Sequence, residues 1–179
     1  MTTVTTPRRW ISFQKAAGLL RAMIIDGSHE APVLDKSAAL CRGFSALNYP
    51  AQAFALWNYV RNGIAYLEDP RNDDHFQSPA VTMQRGAGDC DDQVILLGSL
   101  LRSIGFSTRL VFVFSAPPKD YSVDFPEHVF LEFNADRTDT EELWTCADTV
   151  PTPDDNGGFY YARFGCSFKY GFKEYVGVD

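Results

Sequence analysis

The sequence is poor in the residues that build metal centres and redox motifs. Among its 179 residues there are four cysteines and three histidines. No two cysteines form a C-x-x-C pair, which argues against a zinc knuckle and a thioredoxin-like motif. The histidines, His29, His75 and His128, lie too far apart in the sequence to nominate a metal site. We therefore expect no metal.

Positive charge and long apolar runs are also scarce. Sixteen Lys and Arg stand against 23 Asp and Glu, which gives a net charge of −7, and no basic cluster is longer than Arg8-Arg9. This balance disfavours binding to nucleic acid or to an anionic membrane. No run of about twenty apolar residues could span a membrane, and the polar start does not resemble a signal peptide. We expect a reduced, cytoplasmic protein in which three cysteines are core residues and one is reactive.

Two ligand-binding motifs are present only in part. Gly86-Ala87-Gly88 is not followed by the Gly-Lys-Ser/Thr of a phosphate-binding loop. In the acidic stretch from Asp69, Arg71 occupies the third position, where a calcium loop needs an oxygen ligand. The sequence therefore excludes both kinds of site.

The length predicts one domain over residues 1–179, with a helical N-terminal extension over 1–54. Helical periodicity predicts helices from about Arg9 to Asp26, from Asp35 (as N-cap) to Phe44, and from Ala51 to Asn62. Residues 68–88 are rich in Pro, Gly, Asn and Asp, and we interpret them as a long loop that forms an ordered wall of a site.

The second half of the chain changes from helical to extended periodicity. A helix is predicted over Cys90–Ile104, and strands over Thr108–Phe114, His128–Phe133 and Glu142–Ala147. The aromatic, glycine-rich tail within 151–179 is predicted to form irregular strands or loops packed on the sheet, or a surface for a protein assembly partner. This order predicts an α+β domain, in which N-terminal helices and a cysteine-bearing helix pack on an antiparallel β-sheet.

Cys90 stands at the predicted N-terminus of a helix, where backbone N–H groups and the helix dipole favour a thiolate. The neighbouring carboxylates of Asp89, Asp91 and Asp92 oppose this effect, so an imidazolium partner has to outweigh them. A buried structural cysteine is the plainer alternative, but the three acids would then need partners in the interior. We interpret Cys90 as a nucleophile and the acids as structural, with Asp89 as N-cap and the other two as turn or salt-bridge anchors.

His128 begins a predicted strand, and Asp148 follows another. An isolated histidine at a strand edge is often structural, but thiol, imidazole and carboxylate suggest a nucleophile with its base and orienter. Asp136, Asp139 and Asn134 are alternatives for the orienter in the turn between the strands.

The oxyanion of such a reaction needs two hydrogen-bond donors. One would be the Cys90 N–H, at the start of its helix. The other would be a side chain that precedes the cysteine, such as Gln84 or Gln77.

These residues resemble a known family, the transglutaminase-like superfamily of papain-type cysteine enzymes, especially its microbial and phage-borne members. The similarity covers roughly residues 55–150 and lies in Gly88-Asp89-Cys90-Asp91-Asp92, Leu96–Phe106, Arg109-Leu110-Val111, His128–Glu132, and Trp144 with Asp148. The sequence departs from the family where Asp-Pro-Thr is common, because it has Asp148-Thr149-Val150-Pro151 there.

The resemblance implies a papain-like or transglutaminase-like core with a Cys90-His128-Asp148 triad, and Trp144 as a structural residue near the site. It implies that Cys90 attacks an amide carbonyl and that water or an amine resolves the thioester, with no metal and no organic cofactor.

Three functions follow as hypotheses. The first is a cysteine hydrolase or acyltransferase, similar to a peptidase or amidase, that acts on a peptide or isopeptide amide. The second is transglutaminase-type protein cross-linking. The third is a non-catalytic structural module of a phage particle or envelope assembly, which would place the protein in a virion.

Overall fold

The computed structural model describes residues 3–7, 12–69, 73–135, 144–150 and 172–178, with the backbone alone for 3–7, 73, 74 and 172. Its helices are α1 (Phe13–Gly27), α2 (Ala31–Cys41), α3 (Tyr49–Gly63), α4 (Pro79–Arg85) and α5 (Cys90–Ser103). Its strands are β1 (Thr3–Pro7), β2 (Ala65–Tyr66), β3 (Asp73–Gln77), β4 (Ala87–Gly88), β5 (Thr108–Phe114), β6 (His128–Asn134), β7 (Trp144–Ala147) and β8 (Phe172–Gly177).

The main sheet is antiparallel, with the strand order β7-β6-β5-β8. Its central strands β5 and β6 are rich in β-branched and aromatic residues and are almost entirely buried. Two small pairings lie beside it: β1 with β3, antiparallel, and β2 with β4, parallel. The second of these pairs brings the chain to the residue before Cys90.

Helix α5 is the centre of the core. Its residues from Asp92 to Leu101 are all buried, because α1, α2, α3 and α4 pack around it and β6 lies against its remaining face. The sequence of a helix that is buried on every side consists mostly of apolar residues, and Val94–Leu97 is such a stretch. This packing holds the N-terminus of α5 close to the first residues of β6.

The α+β fold with an antiparallel sheet is confirmed, but two predicted elements differ. Helix α2 begins at Ala31 with Glu30 as N-cap, and not at Asp35, because Pro32 fits the first helical turn. The segment 68–88 is not one loop. It contains β3, the short helix α4, which begins at Pro79, and β4.

The cysteines also differ from the prediction. Cys41 and Cys90 are free thiols, whereas Cys146 is disulfide-bonded. The expectation of three reduced core cysteines is therefore wrong for Cys146, which lies on the edge strand β7, on the sheet face opposite the helices. The strand β1 was not predicted, because its Thr-rich sequence lacks an apolar alternation.

The tail was predicted to pack on the sheet as irregular strands or loops. Its end forms β8, a regular edge strand of the main sheet that pairs with β5. The preceding residues 151–171, with most of the tail's aromatic side chains, lie outside the described residues. None of the described helices has the length and apolar character needed to cross a membrane.

Two glycines of α1 allow a matched test of how tightly this helix packs. A Cβ on Gly27 would lie 2.5 Å from Ser99 Oγ and 2.6 Å from Pro79 Cγ, whereas a Cβ on Gly18 would meet nothing within 4 Å. We expect Gly27→Ala to lower the free energy of unfolding by about 1–3 kcal/mol through overpacking. Gly18→Ala should raise it by about 0.5–1 kcal/mol, because alanine favours the helix. Urea denaturation of both variants checks this, and equal effects would contradict the packing described.

Candidate active site

Cys90 is the first residue of α5, as the sequence predicted. The carboxylate of the N-cap residue Asp89 accepts hydrogen bonds from the N–H groups of Asp91 and Asp92, at 3.1 and 3.3 Å. Its backbone carbonyl accepts from Gln93 N–H at 3.0 Å. The cap fixes the first turn of the helix and so the direction in which the thiol points.

Asp92 holds this end of α5 to the strand β3. One of its carboxylate oxygens accepts from the backbone N–H of Gln77 at 2.7 Å, and the other accepts from the Gln77 side-chain amide. The carboxylate is buried, and hydrogen bonds offset the desolvation that burial imposes. Gly88 is part of the same arrangement, because a Cβ there would lie 2.5 Å from Asp92 Cβ.

His128 and Asp148 form a hydrogen-bonded pair, with 3.0 Å between Nε2 and Oδ2. The sheet register explains why they meet. Ala147 pairs with Leu131 across β7 and β6, so the chain leaves β7 at Asp148 beside the start of β6. A carboxylate only accepts hydrogen bonds, so Nε2 carries the proton and Nδ1 carries the lone pair that a general base requires.

Asp148 is itself held in place from two sides. Its second carboxylate oxygen, Oδ1, accepts from the N–H of Val150 at 3.0 Å. Its backbone carbonyl accepts from the indole N–H of Trp57 on α3 at 2.8 Å. Trp57 is a buried residue of the apolar face of α3, and nothing in its spacing along the sequence indicated that its indole N–H contacts Asp148.

Cys90 and His128 line the same small cavity at the junction of α5 with β6. The backbone N–H of Val129, the residue after His128, lies near the thiol and lowers its pKa. The structure therefore brings three of the predicted residues to one place: the thiol, the imidazole and, behind it, the carboxylate.

The other predicted residues lie elsewhere. Gln77 is buried, and its amide is engaged with Asp92, the Ala87 carbonyl and the Arg85 guanidinium. Gln84 is exposed on α4, and both glutamines line a second, larger groove of about 960 Å³ whose described lining does not include Cys90. The Arg109 Cζ atom lies 4.4 Å from the centre of the Trp144 ring. Trp144 pairs with Asn134, at the end of β6 that is far from His128.

The alternative orienters are thus separated from the imidazole or cannot be described. Asn134 is buried at the end of β6 opposite His128. Asp136 and Asp139 lie outside the described residues. Among the described residues, Asp148 is the carboxylate that contacts the His128 ring.

The electrostatics around Cys90 oppose the thiolate that its helix position favours. Burial raises the pKa of the Cys90 thiol well above its usual value, and the negative charges of Asp91 and Asp89 raise it further. The N–H groups of Val129 and Asp91 lower it, but they do not outweigh the other effects. Asp91 Oδ1 lies 3.9 Å from the sulfur. The net effect of these surroundings disfavours the thiolate.

Burial and crowding also raise the pKa of two of the acids. Desolvation and the charge of Asp92 raise the pKa of Asp89 to about 7, and desolvation raises that of Asp92 to about 6. On the other side of the site, desolvation and the charges of Cys90 and Asp89 raise the pKa of Tyr66 to about 12. Tyr66, which the sequence did not single out, therefore keeps its proton and is a hydrogen-bond donor beside Gly88, its partner in the β2–β4 pair.

Asp89, Cys90 and Asp91 offer ligand atoms within 4.8 Å of one another. One oxygen of Asp89 already accepts the capping hydrogen bonds of α5, so we assign this carboxylate to the helix cap.

Removing the charge next to the sulfur tests the electrostatics directly. We expect Asp91→Asn to lower the apparent pKa of Cys90, because it removes the larger of the two carboxylate effects. The measurement is the rate of iodoacetamide labelling of Cys90 against pH, read by peptide mass spectrometry with Cys41 as the internal reference thiol. Asp35→Asn, on α2, is the matched control and should leave the profile unchanged. An unshifted profile in Asp91→Asn would be inconsistent with the charges described.

The raised pKa values of Asp89 and Asp92 also predict how stability depends on pH. Folded carboxyls that bind protons more tightly than unfolded ones stabilise the fold at low pH, and this stabilisation is lost as pH rises from about 4 to about 7. We expect the free energy of unfolding to fall over this range, by on the order of a few kcal/mol. Asp89→Asn should reduce that fall, since asparagine keeps the cap without the charge.

Urea denaturation between pH 4 and 8 measures this effect. Asp89→Ala serves as the control, because it loses the cap as well as the charge and should be about 1 kcal/mol less stable than Asp89→Asn throughout the range. If the free energy of unfolding rises from pH 4 to 7, equally in the wild type and Asp89→Asn, the fold does not raise the pKa of these two carboxyls.

Comparison with known proteins adds the family. The fold is similar to that of a structure described as a putative protease from Parabacteroides distasonis, with a TM-score of 0.61 and 11% sequence identity. That match covers 94% of this chain and 30% of the other, so this chain spans about a third of its length. A structure described as a putative cysteine protease from Cytophaga hutchinsonii has a TM-score of 0.47 and 15% identity, covering 70% of this chain and 41% of that one.

No curated protein matches the sequence. Residues 38–149, more than half of the chain, match the family model described as "Transglutaminase-like superfamily". These residues run from α2 to the loop after β7 and include the thiol, the imidazole and the carboxylate of the site. The chain belongs to the transglutaminase-like superfamily.

Proposed function

We propose that this protein is a cysteine hydrolase or acyltransferase, similar to a peptidase or amidase, that acts on a peptide or isopeptide amide. One observation carries the proposal: the His128–Asp148 pair, at 3.0 Å, lies at a cavity that also receives the thiol from the N-terminus of α5. Membership of the superfamily supports it, and the solved structure of similar fold is described as a putative protease.

The proposed reaction begins with attack of Cys90 Sγ on the amide carbonyl carbon. The thiol proton moves to His128 Nδ1, and the carbon–sulfur bond forms. As the carbon–nitrogen bond breaks, the imidazolium returns the proton to the departing amine, and a thioester remains on Cys90. Water, or an amine in a transfer reaction, then attacks the thioester with His128 again as the base, and the thiol is released.

The raised pKa of Cys90 favours this general-base route over a preformed thiolate–imidazolium pair. In that route His128 must be neutral and must hold its lone pair on Nδ1 before attack. Asp148 contributes by fixing the tautomer through Nε2 and by stabilising the imidazolium that forms.

We further infer that the oxyanion is bound by the Cys90 N–H at the first turn of α5, with the Tyr66 hydroxyl as the second donor. The high pKa of Tyr66 keeps that hydroxyl protonated at neutral pH. The Gln77 amide, by contrast, already donates to Asp92 and to the Ala87 carbonyl.

An acylation burst tests the proposal without knowledge of the natural substrate. With p-nitrophenyl acetate we expect one equivalent of p-nitrophenolate and one acetyl group on Cys90, located by peptide mass spectrometry. Cys90→Ala should abolish the burst, and His128→Ala should slow it by roughly 100-fold or more, because the base is lost. No burst in the wild type, or an equal burst in His128→Ala, would overturn the proposal and favour the non-catalytic structural module.

Asp148→Asn is a sharper probe of the pair. The Val150 N–H requires an acceptor, so the amide oxygen should take the Oδ1 position and turn the NH₂ group toward His128 Nε2. That would place the ring proton on Nδ1, the wrong tautomer. We expect Asp148→Asn to slow acylation by roughly 100-fold, at least as much as Asp148→Ala. Nearly normal acylation in Asp148→Asn would contradict the assigned tautomer.

Whether water or an amine resolves the thioester can be read from the same experiment. If the protein transfers acyl groups, added butylamine should yield N-butylacetamide in competition with acetate. Cross-linking of proteins, and association with a phage particle, stay predictions of the sequence analysis.

A further inference from the structure

We propose that the cavity beside Cys90 binds an aliphatic chain in the acyl part of the substrate, and that helix α1 sets the length of chain it accepts. This inference rests on the proposed function, since it assigns the cavity to the group that Cys90 would carry as a thioester. It goes beyond that function by naming the chemical class of the acyl group and the residues that select it.

Most of the residues that line the cavity are apolar. Phe13, Ala16 and Leu20 of α1 form one wall, and Phe76 and Phe112 come from β3 and β5. The four larger of these side chains are at most 6% exposed. Cys90 and His128 line the same space. A chain attached to the sulfur would therefore extend from the reacting atoms into an apolar environment.

The size of the cavity limits what it can hold. It offers about 60 Å³ to the centres of water-sized atoms. At roughly 10–15 Å³ for each such atom, this is room for about four to six non-hydrogen atoms. An aliphatic chain of that length fits, whereas an aromatic ring carrying a side-chain linker does not.

The charges near the cavity exclude one class of acyl group. The carboxylates of Asp91 and Glu127 belong to its lining, and both are negative. An acidic side chain would enter against this charge and find no Lys or Arg among the described lining residues. The cavity thus favours an uncharged aliphatic group over an anionic one of equal length.

The small cavity suits the acyl part better than the leaving group. The amine must depart, and water or a second amine must arrive, after the thioester forms. The acyl chain stays bound throughout, so a cavity of limited size can hold it.

Contacts of Phe13 hold helix α1 in place, so that its side chains can limit the length of the acyl chain. The ring of Phe13 packs edge-on against Phe112 at 4.9 Å and stacks on Tyr121 at 5.4 Å. Its backbone N–H donates to the Tyr121 carbonyl at 3.1 Å. Because α1 precedes the matched range 38–149, this wall is supplied by a part of the chain outside the family model.

A series of p-nitrophenyl alkanoates from acetate to decanoate tests the proposal. With each kcat/KM normalised to the hydroxide-catalysed hydrolysis of the same ester, we expect a gain of roughly fourfold for each added methylene until the cavity is full. The gain should stop at about pentanoate to heptanoate. The monoester of glutarate, which matches pentanoate in length but ends in a carboxylate, should react at least about tenfold more slowly than pentanoate.

Two variants move the optimum in opposite directions. Ala16→Leu should fill part of the cavity and shift the preferred chain to a shorter ester. Phe125→Ala, which removes a partly exposed lining ring, should shift the preference to a longer ester. Lys15→Leu adds the same side chain at an exposed position of α1 and should leave the profile unchanged. If Ala16→Leu does not fold, Phe125→Ala still decides the question.

The outcomes separate this inference from the proposed function. An acetate burst on Cys90 with no dependence on chain length, or with the same profile in Ala16→Leu and Lys15→Leu, would overturn the cavity assignment and leave the proposed function standing. Absence of acylation by every ester in the wild type would overturn both. A length optimum that both lining variants move, in opposite directions, supports both.

Discussion

The burial of α5 on all sides is the constraint on which the rest of the structure depends. Four other helices and β6 surround it, so its direction and depth are fixed by packing rather than by any one hydrogen bond. Cys90 is the first residue of α5, so the packing that fixes the helix also fixes the position of the thiol. Asp92 then holds the first turn of α5 to β3 through Gln77, which joins the segment before the cysteine to the helix that follows it.

The same burial creates the electrostatic problem of the site. Burial raises the pKa of Cys90, Asp89 and Asp92, and the charges of Asp91 and Asp89 raise the pKa of the thiol further. The acids that hold this end of α5 therefore disfavour a thiolate at its first residue. The proposed general-base route avoids this cost, because the thiol proton is transferred to the imidazole only as the substrate is attacked, and no buried thiolate has to persist.

The orienting carboxylate shows how a distant element becomes part of the site. Asp148 meets His128 because the β6–β7 register returns the chain beside the start of β6, and the indole N–H of α3's Trp57 fixes its backbone. The cavity wall from α1 is a second case, since Phe13 and Ala16 are far from Cys90 in sequence. Such contacts depend on helix packing, which leaves no local pattern in the residues themselves.

What the sequence alone determined was the local structure and its order: the α+β class, the cysteine at a helix N-terminus, and the bounds of β5, because these follow from periodicity, capping and β-propensity. The sequence patterns did not predict β3 and α4 within 68–88, because turn-forming residues dominate that segment. They also misplaced the start of α2, because Pro32 fits the first helical turn and the helix begins at Ala31 rather than at Asp35. Only the tertiary structure decided that Gln77 donates to Asp92, that burial raises the pKa of Cys90, and that α1 lines the cavity. Burial and long-range pairing set each of these, and neither is encoded by the spacing of neighbouring residues.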